Sequence, residues 1–145
     1  MDERLWRVMQ RHLGYSDEEM VVFRDNPRNK DVLSKAAALM DRIMVVEVVE
    51  AHGCNSRHRK GDRFFFDGAG NLLTERGPKK ICVHALSPVG GLIFAANELL
   101  YAGVDPNEMR FRRTDCLDVG LGCGGWGKVV LELKVEPREA LSGEA

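Results

Sequence analysis

Met44-Val-Val-Glu-Val-Val-Glu-Ala51 divides the chain in two. Met44, Val46 and Val48 alternate onto one face with Glu47 opposite, the two-residue period of a strand. Everything before it has helical spacing. Leu5, Trp6, Met9 and Leu13 recur on one helical face, and Gly14 is a stop. Ser16 and Glu19 have capping-box spacing, which starts a second helix carrying Met20, Val21 and Phe23. Asn26-Pro27 breaks it, and a third helix from about Lys30 to Met40 packs Val32, Leu33, Ala36 and Leu39. Residues 1–43 are therefore read as a helical arm, 44–136 as the core domain and 137–145 as a polar, frayed tail.

Beyond the first strand, Phe64 and Phe66 mark a second, residues 67–71 have hairpin-turn composition, and Leu72-Leu73-Thr74 follows. Gly77-Pro78 closes this section. Ile81 to Ala102 is a helical region with Val89, Ile93, Ala96 and Leu100 on one face. It begins either at Ser87 as cap with Pro88 as first helical residue, or at Val83 with a kink at Pro88. Cys82 lies at or near a helix start in both cases. Two strands finish the chain. In the first, Met109 and Phe111 are expected inward with Arg110 and Arg112 outward. In the last, Val129, Leu131, Leu133 and Val135 alternate with Val130, Glu132 and Lys134. The order predicts an α+β fold: a mainly antiparallel sheet, one central helix and an N-terminal helical arm.

A chain of 145 residues buries enough surface to need neither metal nor disulfide for its core. Basic and acidic residues nearly cancel, 21 against 22, with no basic run, so nucleic acid is not an expected partner. The charged N-terminus has no apolar stretch behind it, and the longest fully apolar run, Leu92 to Ala96, is short. A cytoplasmic protein without a membrane partner is expected. The arm has no clustered chemical residues, so its expected work is contact: with a partner protein or with a second copy.

Four cysteines in a reducing compartment read as thiols or metal ligands. They fall in Cys54-x3-His58, Cys82-x-His84 and Cys116-x6-Cys123, at the ends of elements, where a scaffold can aim side chains at one point. Thiolates and imidazoles bind zinc, and thiolates hold iron–sulfur clusters, so Cys54, His58, Cys82, Cys116 and Cys123 are candidate ligands. Buried inert thiols are the bland alternative. A thiol at a helix start is also a candidate nucleophile, which makes Cys82 a catalytic candidate with His58 or His84 as its base. Asp62 and Asp118 are acid/base candidates. Asp62 also suits the turn after Gly61. Five glycines between Gly120 and Gly127 free backbone amides to approach an anion or cluster sulfur, so Gly122, Gly124 and Trp126 are candidate cofactor contacts.

These motifs are similar to those of a small, functionally unassigned bacterial and archaeal family common in anaerobes. Its pattern is C-P-x-G-H-x-x-G-D, then C-P-x-A-L, then a late C-P-D. The resemblance spans about residues 45–135. Cys54, His58, Gly61 and Asp62 match the first motif, Cys82, Ala85 and Leu86 the second, Cys116 and Asp118 the third. Asn55, Arg57, Val83 and Leu117 stand where the family has proline or glycine. The resemblance implies that Cys54, His58, Cys82 and Cys116 form one site, and it implies no reaction. The expectations are thus a zinc- or iron–sulfur-binding protein serving an anaerobic redox or lyase system, a metal-free thiol enzyme using Cys82, or an interaction module with buried cysteines.

Overall fold

A four-stranded antiparallel sheet in the order β2-β1-β4-β3 carries the core. Its strands are β1 (Arg42–His52), β2 (Arg63–Phe66), β3 (Arg113–Asp115) and β4 (Lys128–Pro137). The computed structural model describes residues 2–139. The long central pair runs from Arg42 opposite Pro137 to His52 opposite Lys128, with a bulge between Val48 and Glu50. Alternation decides the faces. Met44, Val46, Val48, Phe64, Phe66, Leu131, Leu133 and Val135 point at helix α5 (Val83–Tyr101), which supplies Ala85, Val89, Ile93 and Ala96. Ile43, Val45 and Phe65 form a smaller apolar cluster with Leu73. The register also lines up Arg63, Glu47, Glu132 and Arg113 across all four strands. Glu132 is buried there with its carboxylate 2.6 Å from Arg113 Nε, the pairing a buried charge requires.

The chain divides into two compact units, Met1–Ala38 and Leu39–Ala145. The first unit holds α1 (Glu3–Leu13), α2 (Asp17–Asp25) and α3 (Pro27–Ser34), and α4 (Ala36–Met40) spans the division. Ser16 and Glu19 form the expected capping box. Gly14 ends α1 in the left-handed conformation. Asn26 ends α2 and also caps α3, whose first residue is Pro27. The third helix therefore starts earlier than expected and breaks at Lys35. Trp6, Met20 and Leu33 are buried against Leu5, Met9, Tyr15 and Phe23, so the first helix packs Leu5, Trp6 and Met9 of its apolar stripe inside its own unit and leaves Leu13 exposed.

Some local expectations are corrected, and of the two helix starts left open one is observed. The segment after the hairpin makes only a single bridge, Phe66 to Leu72, and no strand. Phe111 does not point inward. It is exposed under the Arg110 guanidinium, 4.6 Å from the ring centroid, and β3 begins two residues later. The main helix does not wait for Ser87; it starts at Val83 and contains Pro88. By length and apolar composition α5 is the one described helix that qualifies to cross a membrane, but its buried stripe packs on the sheet. Of the frayed tail expected at 137–145, Pro137 instead belongs to β4 and Arg138 N–H donates to Asp41 C=O, while 140–145 lie outside the described residues.

Candidate functional site

Two loops and the start of α5 enclose a cavity of about 190 Å³. The early loop, between β1 and β2, brings Cys54, Asn55, Ser56 and His58. The start of α5 brings Cys82, His84 and Ala85, and the late loop between β3 and β4 brings Cys116, Asp118, Trp126 and Gly127. Cys54, Cys82 and Cys116 thus line one cavity. All three are partly buried against the main core and in the free thiol form.

The early loop is fastened from inside. Gly61 N–H donates to Val48 C=O and Val48 N–H to Asp62 C=O, each at 2.8 Å. Asp62 carboxylate accepts from Arg59 N–H at 2.9 Å, so it does close the turn. His58 is buried edge-on to Phe64, with ring centroids 5.5 Å apart. Burial holds its pKa below the usual imidazole value, against the pull of Asp62, so it is neutral near pH 7. Its Nε2 accepts the Cys82 backbone N–H at 3.1 Å. That bond fixes the tautomer and occupies the ring nitrogen on the Cys82 side. Arg57, in the same loop, is the one described non-glycine residue with positive φ, at 62°.

The late loop hangs on one carboxylate. Asp118 accepts from Gly120 N–H, Trp126 N–H and Gly127 N–H, each at 3.0 Å. The Gly127 and Gly120 bonds are the main reason its carboxyl lies below the usual range. A second tether reaches α5. Pro88 has no N–H to offer the carbonyl four residues before it. His84 C=O instead accepts Leu117 N–H at 3.0 Å. The loops cross at Gly53 and Gly127, where neither residue has room for a Cβ: one at Gly53 would lie 2.8 Å from Trp126 C=O, and one at Gly127 would strike Gly53.

Cys82 is the N-cap residue of α5. Desolvation pushes its thiol up, but hydrogen bonding from Ser56 and from the backbone of His84 and Ala85 outweighs it, so the pKa is lowered. Cys116 Sγ accepts Val129 N–H at 3.3 Å and lies 3.7 Å from Asp118 C=O, to which it can donate. As the donors stand, no three His, Cys, Asp or Glu side chains among the described residues are gathered as a metal would need. Cys123 is exposed on a 3-10 turn, and Cys123, Gly122 and Gly124 are not among the residues lining the cavity. Trp126 lines it from an exposed position.

Sequence reasoning missed Ser56 and Lys128 as lining residues, and it missed Asp118 as a clamp. Ser56 was signalled by lying between Cys54 and His58. Asp118 was signalled by a short carboxylate ahead of a glycine-rich turn, the composition of an Asx-type backbone bond.

Fold and site together define an α+β protein with a cysteine-lined cavity at one end of its sheet. No family model, curated protein or solved structure matches the chain.

Proposed function

We propose that the cavity is a reactive-thiol site in which Cys82 is the nucleophile and His84 handles the proton. The observation that carries this reading is the placement of Cys82: N-cap of a 19-residue helix, in a cavity with two further thiols, its backbone N–H taken by His58. A helix start stabilises negative charge, and Ser56 adds a hydrogen bond to the sulfur. His58 is a positioning residue here, because the nitrogen beside Cys82 is already an acceptor. The reading places the chain in the cytoplasm, where thiols stay reduced. It keeps the exposed Val8, Val21 and Val22 of the helical unit for contact with a partner or second copy.

Two departures from the resembled motifs support membership of that cysteine-motif family. Arg57, where the pattern has glycine, takes a positive φ, and Val83, where it has proline, is the first residue of α5, a favoured place for proline. Leu117 is a true departure, since its N–H is used.

The test is alkylation by iodoacetamide near neutral pH in a Cys123→Ser chain, read by mass spectrometry. Cys82 is expected to react roughly tenfold or more faster than Cys54 and Cys116, as a lowered pKa and helix start imply. Equal rates, or Cys82 slowest, would sink the reading. The zinc or iron–sulfur reading stands second, because three cysteines share one cavity. It requires the sulfurs to draw closer than they stand. Stoichiometric metal, with or without sulfide, in anaerobically purified protein would put it first.

A further inference from the structure

We propose that the substrate of this site is a cysteine disulfide carried on an apolar polypeptide segment. The inference rests on the thiol reading above and names what Cys82 attacks. It begins with size. A cavity of about 190 Å³ is smaller than the roughly 300–1,000 Å³ that encloses a drug-sized ligand. Only the reacting group enters, and the body of the substrate lies on the rim. That rim is apolar. Val83 lies between Cys82 and His84, and Leu117 between Cys116 and Asp118. Val119, Leu121 and Trp126 follow in the same loop, and these five side chains are 60–79% exposed. Exposed apolar groups that adjoin a site along the chain suit a contact surface. Their exposure is built in, because Asp118 and the Leu117–His84 bond pin the loop that holds four of them.

The chemistry follows from the lining. Attack on sulfur needs a thiolate and a proton for the leaving group, and no oxyanion hole. A disulfide presents two sulfurs on short stems, which suits a small cavity, while neighbouring residues of an extended polypeptide, about 3.3 Å apart along the chain, reach the rim. Cys82 sulfur bonds to one substrate sulfur as the substrate S–S bond breaks. The other substrate sulfur leaves as thiolate and takes a proton from His84 or water. Cys54, in the same cavity, then bonds to Cys82 sulfur and releases the substrate's second thiol. Two electrons pass from the Cys54–Cys82 dithiol to the substrate disulfide. Cys116 is left out because its S–H faces the Asp118 C=O as donor, which favours the thiol over the thiolate.

The experiment uses the full chain carrying Cys123→Ser and follows thionitrobenzoate release. Three activated disulfides are compared: a short peptide with Leu and Val beside its activated cysteine, the same peptide with Ser and Gly, and a dodecyl thiol. Each rate is divided by that of the mercaptoethanol analogue. The apolar peptide is expected to react at least about tenfold faster than the polar one, what a methylene or two discriminates in an apolar contact. In the double variant Val119→Ser, Leu121→Ser that ratio should fall towards unity. Equal peptide rates, or a ratio that survives in the variant, would overturn the proposal. A dodecyl reagent as fast as the apolar peptide would overturn the polypeptide assignment. The thiol reading itself fails separately, if Cys82→Ser leaves the mercaptoethanol analogue's rate unchanged.

Discussion

The early and late loops deliver comparable parts of one cavity and are held by opposite means. Residues 53–62 are fastened by two backbone bonds to β1 and by a buried, neutral imidazole. Residues 116–127 have an exposed apolar surface and are held by one carboxylate that gathers three amides and by the Leu117–His84 backbone bond. The early loop is an extension of the core. The late loop is a closed turn attached at its root, which lets it present Trp126 and Leu121 to solvent without losing its shape. A site that must be both fixed and accessible gains from having one loop of each kind.

The largest effect should come from breaking the point where the two loops touch. Gly127→Ala puts a methyl group into the Gly53 backbone, so a loss of about 3 kcal/mol is expected from overpacking, read as a lower urea midpoint. An unchanged midpoint would mean that the loops separate freely. Asp118→Ala should act more locally. Hydrogen exchange at the amides of Gly120, Trp126 and Gly127 should speed up by roughly tenfold or more, while Gly61 keeps its protection. Equal loosening of both loops would abolish the distinction.

Acid should separate the two in order. His58 and Asp118 both have lowered pKa values when folded, so each contribution is complete above the unfolded pKa and is lost as pH falls through the folded one. For His58 the loss begins near the unfolded value of about 6.5, and for Asp118 near about 3.9. Exchange measured between pH 7 and pH 3 should show the early loop weakening first. The smallest effect concerns Arg57. Replacing it by glycine relieves a left-handed backbone, and a gain of about 0.5–1 kcal/mol in unfolding free energy is expected.

Much of the frame was readable from side-chain period alone. Every second residue of β4 from Val129 to Val135 is apolar and buried, and the Ser16–Glu19 capping box is a local bond with its own signature. The convergence of Cys54, Cys82 and Cys116 was legible as position, because each sits where an element ends. The rest depended on contacts that period does not encode. Phe111 looked inward by alternation, yet it is exposed at the surface with the Arg110 guanidinium over one face of its ring. Cys123 looked equivalent to the other cysteines, yet the 3-10 turn carries it out to solvent. His58 looked like a base or ligand, and nothing in its spacing says that its nitrogen would meet a backbone amide 24 residues on.

Pro88 has a consequence for the order in which the molecule assembles. The first turn of α5 leaves one carbonyl, that of His84, which no residue of the helix can satisfy as an i+4 donor. Its donor is Leu117, which follows β3. The turn that carries Cys82 is therefore completed only when a segment about thirty residues later has docked, which is a non-local closure and slow to form. Folding of the cavity is tied to arrival of the late loop, and a chain halted before residue 117 has the thiol without the wall beside it.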